Sequence, residues 1–108
     1  MPLAEMKCVP CHGGIPPLPE EECKKNLSEL QGWQLEGNQK ISKVFKFKDF
    51  KEAISFVNKI AEIAEAEQHH PDIKINYNRV AIELSTHAIK GLSTNDFIMA
   101  AKIENVKV

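Results

Sequence analysis

The sequence predicts an α+β fold in which a four-stranded antiparallel sheet carries three helices packed on one face, in the order α-β-β-α-β-β-α. Two stretches of alternating apolar residues, each interrupted by a short turn motif, are typical of β-hairpins. Three further stretches repeat apolar residues every three or four positions, as helices with one buried face do. Strands joined as hairpins pair antiparallel, so the helices are expected to gather on one side of the sheet.

The length of 108 residues fits one domain, which we place at residues 18–108, after an irregular N-terminal arm at residues 1–17. The arm is rich in proline and glycine, which favour turns. Its Cys8 and Cys11 form a C-x-x-C pair followed by His12, the pattern that attaches c-type haem. Haem is attached outside the cytoplasm and we expect no export signal, so we predict a reduced, flexible or turn-forming arm instead. The alternatives are a metal site and redox chemistry. A zinc site at this pair would need further ligands.

The first helix is predicted to begin at Pro19, because proline is tolerated at the first helical position. The glutamates at residues 20–22 complement the positive end of the helix dipole. Gly32 is the expected end of this segment. The predicted buried face consists of Cys23, Leu27 and Leu30.

The first hairpin is predicted over residues 33–47, with Gly37 and Asn38 as its turn. Apolar residues alternate with polar ones on both sides of that turn, which gives the hairpin one apolar face. These residues are Trp33, Leu35, Ile41, Phe45 and Phe47.

A long second helix is predicted to begin at Asp49, which forms a capping signature with Glu52, and to end before Pro71. Its predicted buried stripe consists of Phe50, Ala53, Ile54, Val57, Ile60, Ala61 and Ala64. Phe56 and Ile63 fall off that stripe. We therefore expect a second apolar flank there that is available to a partner chain.

The second hairpin is predicted around a turn at residues 76–78, and we expect Tyr77 to pack. Its alternating apolar residues are Ile73, Ile75, Tyr77, Val80, Ile82 and Leu84. The last helix follows Gly91, because Ser93 and Asp96 form another capping signature. Its predicted buried residues are Phe97, Ala100, Ala101 and Ile103.

Composition and charge exclude several classes of function. With 14 basic and 15 acidic residues the net charge is −1, whereas nucleic-acid binders and membrane-surface modules usually carry a basic excess. No apolar run approaches the ~20 residues of a membrane span. We expect a cytoplasmic protein with no nucleic-acid or membrane partner. A chain of this size buries a shallow core, which favours a homo-oligomer.

Three of the four histidines are the candidate catalytic residues: His69, His70 and His87. The first two lie where the long helix ends, and the third lies just after the last strand. Histidine both gives and takes protons near neutral pH, so imidazoles at neighbouring element ends suit acid–base catalysis. The alternative is that His69 and His70 are a solvated helix end and that His87 is a polar strand end.

Other chemistries have weaker support. Adjacent histidines rarely aim at one metal ion, and the sequence contains no H-E-x-x-H pair, so no metal site is predicted. Ser85 and Thr86 precede His87, but no G-x-S-x-G motif accompanies them as in a hydrolase. No glycine-rich phosphate loop is present.

The spacing of these residues resembles the signature of the pterin-4a-carbinolamine dehydratases. The matching positions are Glu65, His69-His70-Pro71, Tyr77, Ser85-Thr86-His87, Gly91-Leu92-Ser93 and Asp96, together with Gly32-Trp33 and the K-C-V-P-C-x-G-G-I-P-P-L stretch of microbial members. The resemblance extends over nearly the whole chain, and its several separated positions make it specific.

The resemblance implies a hydro-lyase that removes water from a 4a-hydroxytetrahydropterin, the product of aromatic amino-acid hydroxylases, during tetrahydrobiopterin recycling. It implies that His69, His70 and His87 surround the pterin, with His70 the first choice for proton transfer. Glu65, one helical turn before His69, is expected to orient that histidine or to tune its charge. Pro71 and Asp96 are the other supporting positions, although the residues alone assign Asp96 to a helix cap. No cofactor is implied, since the pterin is the substrate.

The resemblance also implies the assembly. The family forms dimers by joining sheets and tetramers by packing helices, so a homodimer or homotetramer is expected. Relatives of this fold also serve as a dimerisation cofactor of a transcription factor or as assembly factors. A non-catalytic binding role is therefore the alternative function, although three imidazoles at catalytic spacing favour the enzyme.

Overall fold

A computed structural model of the chain describes residues 3–8 and 16–107. Cys11 and His12, for which a metal site or redox chemistry is the alternative interpretation, lie outside the described residues. The helices are α1 (Glu20–Leu27), α2 (Phe50–Glu67) and α3 (Thr94–Glu104), and the strands are β1 (Gln34–Glu36), β2 (Lys40–Lys46), β3 (Asp72–Asn76) and β4 (Arg79–Leu84). Single 3₁₀ turns occupy Leu3–Glu5 and His87–Ile89. The predicted element order is confirmed.

The four strands form one antiparallel sheet in the order β1-β2-β4-β3. The first hairpin turns at Gly37 and Asn38, whose φ angles of 58° and 55° are left-handed, as tight hairpin turns require. In the central pair, Ile41 lies opposite Leu84, and Phe45 lies opposite Val80. These residues share one face of the sheet, so the alternation in the sequence gives that face its apolar character.

The hydrophobic core lies between this face of the sheet and the helices. Buried residues of all three helices pack there with the sheet. They include Cys23, Ile41, Ala53, Phe56, Ile60, Val80, Ile82, Leu84, Phe97, Met99, Ala100 and Ile103. Among the described residues, no helix is long and apolar enough to cross a membrane.

The buried face of α2 differs from the predicted stripe. Asp49 caps the helix as predicted, since its Oδ1 accepts from the N–H of Glu52 at 2.8 Å. The prediction that Phe56 faces a partner chain is wrong, because its side chain is 2% exposed and its ring centroid lies 4.8 Å from those of Phe45 and Phe47. Phe50 is 50% exposed instead. Phe45 on β2 and Phe47 just after it select the side of the helix that packs on the sheet.

Ile63, the other residue of the predicted partner-facing flank, is partly buried and packs against the core. The helix buries Ala53, Phe56, Ile60 and Ala64, so its buried stripe is rotated toward the Phe56 side of the predicted one. The flank predicted for a partner chain is thus part of this domain's own core.

Replacing Phe56 by alanine should lower the free energy of unfolding by about 3–5 kcal/mol, because it removes a buried aromatic ring and leaves a cavity among Phe45 and Phe47. Urea denaturation followed by circular dichroism measures this change. Phe50→Ala on the same helix is the matched control and should cost less than about 1 kcal/mol. Equal losses for the two variants would contradict this packing.

Strand β3 is an exposed edge of the sheet. All of its residues are exposed, although Ile73 and Ile75 share the inner face with the buried residues of β4. The expectation that Tyr77 packs is wrong for this chain, since its side chain is 63% exposed at the turn after β3. Tyr77 has a left-handed φ of 53° and forms the turn with Asn78. An apolar strip at a free edge is suited to contact another chain.

Residues 3–8 pack on the domain. Leu3 is buried in the core beside α3, and the ammonium of Lys102 on α3 donates to the carbonyl of Ala4 at 2.9 Å. Further along, the N–H of Leu18 donates to the carbonyl of Leu92 at 2.8 Å. The chain before α1 therefore lies against the C-terminal part of the domain at two places.

Candidate active site

The end of α2 and the end of β4 meet at an open cavity of about 670 Å³. His69, His70 and His87 all line it, so the structure brings together the three histidines that the sequence singled out. Glu67, Ser85, Thr86, Asn95 and Cys8 also contribute to its wall. The cavity lies at one end of the sheet, where loops can vary without disturbing the core.

The two adjacent histidines leave the helix through a left-handed residue. Gln68 ends α2 with φ 54° and ψ 40°, and the N–H of His69 reaches back to the carbonyl of Ala64 at 3.3 Å. Pro71 then prevents further helix, and β3 begins at the next residue. This sharp change of direction lets the imidazoles of His69 and His70 reach different carboxylates.

His69 is bonded to Asp96, and the contact is nearly dry. The Nε2 atom of His69 lies 2.6 Å from Oδ1 of Asp96, with the histidine side chain 11% exposed and the carboxylate fully buried. An ionised carboxylate only accepts hydrogen bonds, which assigns the proton of a neutral His69 to Nε2 and leaves Nδ1 as an acceptor. The pair therefore fixes both the ring orientation and the tautomer of this histidine.

Asp96 has a second set of contacts. Its Oδ2 accepts from the hydroxyl of Thr86 at 2.8 Å and from the N–H of Ser93 at 2.9 Å. The predicted capping box of Ser93 and Asp96 is present at the start of α3. Asp96 is thus the predicted helix cap, and the same carboxylate also joins α3, the end of β4 and His69 in one buried network.

His70 is bonded to Glu65 on the exposed side of the site. The Nε2 atom of His70 lies 2.5 Å from Oε2 of Glu65, and the two side chains are 55% and 73% exposed. The expectation that Glu65 orients His69 is therefore wrong: the turn at Gln68 brings His70 back over the last turn of the helix. An exposed pair of this kind adds little to stability.

His87 stands at the start of a closed loop. The N–H of Thr86 donates to the carbonyl of Gly91 at 2.8 Å, and the 3₁₀ turn His87–Ile89 lies between them. His87 is exposed at the edge of the cavity. A Cβ atom at Gly91 would lie 2.7 Å from Cβ of Pro17, so this position has no room for a side chain.

Thr86, Cys8 and Glu67 belong to the cavity wall but are not among the site residues predicted from the sequence. Thr86 belongs to the family signature beside His87, and its bond to Asp96 follows from the tertiary fold. Cys8 and Glu67 are 59 residues apart, yet the N–H of Cys8 donates to Oε1 of Glu67 at 2.7 Å. Within residues 3–8 and 16–107, no group of three or more histidine, cysteine or acidic side chains is arranged to hold a metal ion.

Comparisons with known proteins support one family. A family model described as "Pterin 4 alpha carbinolamine dehydratase" matches residues 16–106. Proteins named "Putative pterin-4-alpha-carbinolamine dehydratase" in Nitrosomonas eutropha and Rickettsia canadensis are each 50% identical to this chain. The first match covers 94% of this chain and 90% of the relative, and the second covers 95% of each.

Solved structures share the fold. A crystal structure described as "transcriptional coactivator/pterin dehydratase" from Brucella melitensis has a TM-score of 0.77 and 41% sequence identity, and the match covers 81% of this chain and 94% of that one. A pterin dehydratase-like protein identified as a RuBisCO assembly factor has a TM-score of 0.60 at 21% identity, over 68% of this chain and 87% of that one. The second likeness shows the fold alone.

Proposed function

The chain belongs to the pterin 4 alpha carbinolamine dehydratase family, and from this membership we propose that it dehydrates a 4a-hydroxytetrahydropterin by histidine acid–base catalysis. The products are quinonoid dihydropterin and water. The observation that carries the proposal is the convergence of His69, His70 and His87 on one cavity. Two of these imidazoles are bonded to carboxylates, which are the partners that orient and tune a catalytic histidine.

The reaction requires two proton transfers. The C4a–O bond breaks once the hydroxyl receives a proton and leaves as water, and N5 loses its proton as the C4a–N5 double bond forms. A protonated imidazole supplies the first proton and a neutral imidazole accepts the second. After exchange with solvent, the protein therefore returns to its starting protonation state. Histidine is suited to both roles at neutral pH.

We assign proton transfer first to His70, because its exposed ring exchanges protons with water and is bonded to the carboxylate of Glu65. His69 is held by Asp96 and is suited to bind the substrate hydroxyl in a fixed orientation. His87 lines the same cavity from the loop after β4 and shares the binding and the acid–base work. In this mechanism the pterin is the substrate, and no metal or organic cofactor takes part.

The physiological role that we infer is tetrahydrobiopterin recycling in the cytoplasm, coupled to an aromatic amino-acid hydroxylase that supplies the carbinolamine. We also infer a homodimer or homotetramer. The exposed strand β3, with Ile73, Ile75 and Tyr77 uncovered, supports pairing with a second copy of the chain along this edge.

A binding role alongside catalysis is the second candidate function. The Brucella protein, which is 41% identical to this chain, is described as a transcriptional coactivator as well as a pterin dehydratase. A binder has no need of three imidazoles around a cavity, so the site supports catalysis as the first function.

A stopped-flow assay tests the dehydratase. A phenylalanine hydroxylase generates 4a-hydroxytetrahydropterin, and its decay is followed by absorbance with and without this protein. Because general acid–base catalysis contributes about 10²–10⁴-fold, decay should accelerate in proportion to the protein added. The acceleration should be the same after this protein has been treated with a chelator. An unchanged decay rate at all protein concentrations would rule out the proposed activity.

A further inference from the structure

The N-terminal segment at residues 3–8 contributes to the histidine cavity, although it lies outside the part of the chain that the family model matches. Cys8 lines the cavity with the end of α2, and its backbone N–H donates to Oε1 of Glu67 at 2.7 Å. Glu67 is the last residue of α2 and precedes His69 by two positions. One carboxylate therefore joins the segment to the element that carries two of the three histidines.

The segment is fixed at both of its ends. At the start, Leu3 is buried in the core and the carbonyl of Ala4 accepts from Lys102. At the other end, besides the bond to Glu67, the thiol of Cys8 contacts the carbonyl of Asn95 at 3.7 Å. Cys8 is thus held between α2 and α3, where its side chain faces the same cavity as the imidazoles.

We propose that Glu67 is a positioning residue for the pterin site: its carboxylate holds residues 3–8 as a wall of the histidine cavity, and Cys8 contacts the bound pterin. The inference rests on the proposed function, and it adds a substrate contact from outside the matched family region. A hydrogen bond to a charged acceptor contributes more than one to a neutral acceptor, which suits it to hold a chain segment in place.

The chemistry of Cys8 fits a contact residue and not a nucleophile. Burial, followed by the charge of Glu67, raises the pKa of its thiol from an ordinary value of 9.0 to about 12. The thiol is therefore neutral at physiological pH. A neutral thiol behaves as a small apolar group, so it can pack against the edge of a planar ring system.

Steady-state kinetics of Glu67→Ala and Glu67→Gln test the proposal. Alanine releases the segment, so KM for the pterin should rise about tenfold while kcat stays within about twofold, as when a uniform binding contact is removed. Glutamine still presents an oxygen to the Cys8 N–H and should recover most of the affinity. Glu62→Ala, at an exposed glutamate of the same helix, is the matched control and should leave both constants unchanged.

An unchanged KM in Glu67→Ala would overturn the proposal, and so would a glutamine variant as impaired as the alanine variant. The thermal midpoints of the variants separate positioning from stability, because a change of KM at an unaltered midpoint is not the result of unfolding.

Alkylation of Cys8 tests, without any substrate, whether Glu67 holds the segment in place. Iodoacetamide is applied in a Cys11→Ser background, and mass spectrometry reads Cys8 with the buried Cys23 as the internal reference. The neutral thiol should react slowly up to about pH 10, since only the thiolate is nucleophilic. Glu67→Ala removes the negative charge and exposes the thiol, so alkylation should accelerate about tenfold or more. Equal alkylation rates with and without Glu67 would overturn the proposal that Glu67 holds residues 3–8, even if the dehydratase assay succeeds.

Discussion

Replacing both His70 and His87 by alanine should return the decay of a 4a-hydroxytetrahydropterin to its spontaneous rate. The two imidazoles line the same cavity and belong to different elements, the end of α2 and the loop after β4. Removing both leaves His69, which is held by Asp96 and has no second imidazole with which to divide the two proton transfers. The expected loss is about 10²–10⁴-fold, the usual contribution of general acid–base catalysis.

This double variant should fold normally, because both side chains are exposed and exposed substitutions usually change the free energy of unfolding by less than about 0.5 kcal/mol. A Glu21→Ala, Lys25→Ala double variant on the exposed surface of α1 is the matched control. Added imidazole should restore part of the lost rate in the histidine variant and should leave the rate of the control variant unchanged. Full activity without both histidines would rule out the proposed catalytic residues.

Removing the buried carboxylate of Asp96 should impair both stability and catalysis. Asp96→Ala leaves the hydroxyl of Thr86, the N–H of Ser93 and the ring of His69 without their acceptor. Breaking a buried polar network of this kind typically costs about 3–5 kcal/mol. Urea denaturation measures the loss, and Asp72→Ala at an exposed carboxylate of β3 is the control, expected to change stability by less than about 0.5 kcal/mol.

The Asp96→Asn variant separates catalysis from folding. The amide keeps the shape of the carboxylate but has no charge and accepts through one atom only, so some of the three contacts are lost. The cost in stability should be about 1–3 kcal/mol, while kcat/KM should fall about 100-fold because His69 loses its fixed tautomer. A stable asparagine variant with undiminished kcat/KM would contradict the role of Asp96 in orienting His69.

Much of the fold follows from local signals in the sequence. The turn at Gly37 and Asn38 requires left-handed φ angles that these two residues adopt readily, so the first hairpin is recognisable in isolation. Asp49 and Ser93 start their helices through side-chain contacts within three residues. Such features depend on neighbours in the chain, and the sequence therefore predicts them.

The errors concern contacts between distant elements. The helical period places Phe56 off the main stripe of α2, and only the rings of Phe45 and Phe47 on the sheet make its side the buried one. The left-handed turn at Gln68 has no signature of its own, and without it Glu65 is assigned to His69. Each of these assignments depends on the packing of one element against another.

The candidate site was predicted in its residues but not in its connections. The three histidines were identified because imidazole chemistry is distinctive and because their spacing resembles a family. The bond between His69 and Asp96 spans 27 residues, and the bond between Cys8 and Glu67 spans 59. No periodicity or motif links such pairs, so only the folded chain reveals which carboxylate serves which partner.

The close approach of Pro17 to Gly91 affects how mutational data on this protein should be interpreted. Gly91 closes the loop that carries His87, and any side chain there would collide with Pro17. An alanine scan across the loop would thus show a loss of activity at a residue with no chemical group to offer. Such a result measures the space between Gly91 and the ring of Pro17, and it would mark Gly91 as a sensitive point for engineering the loop.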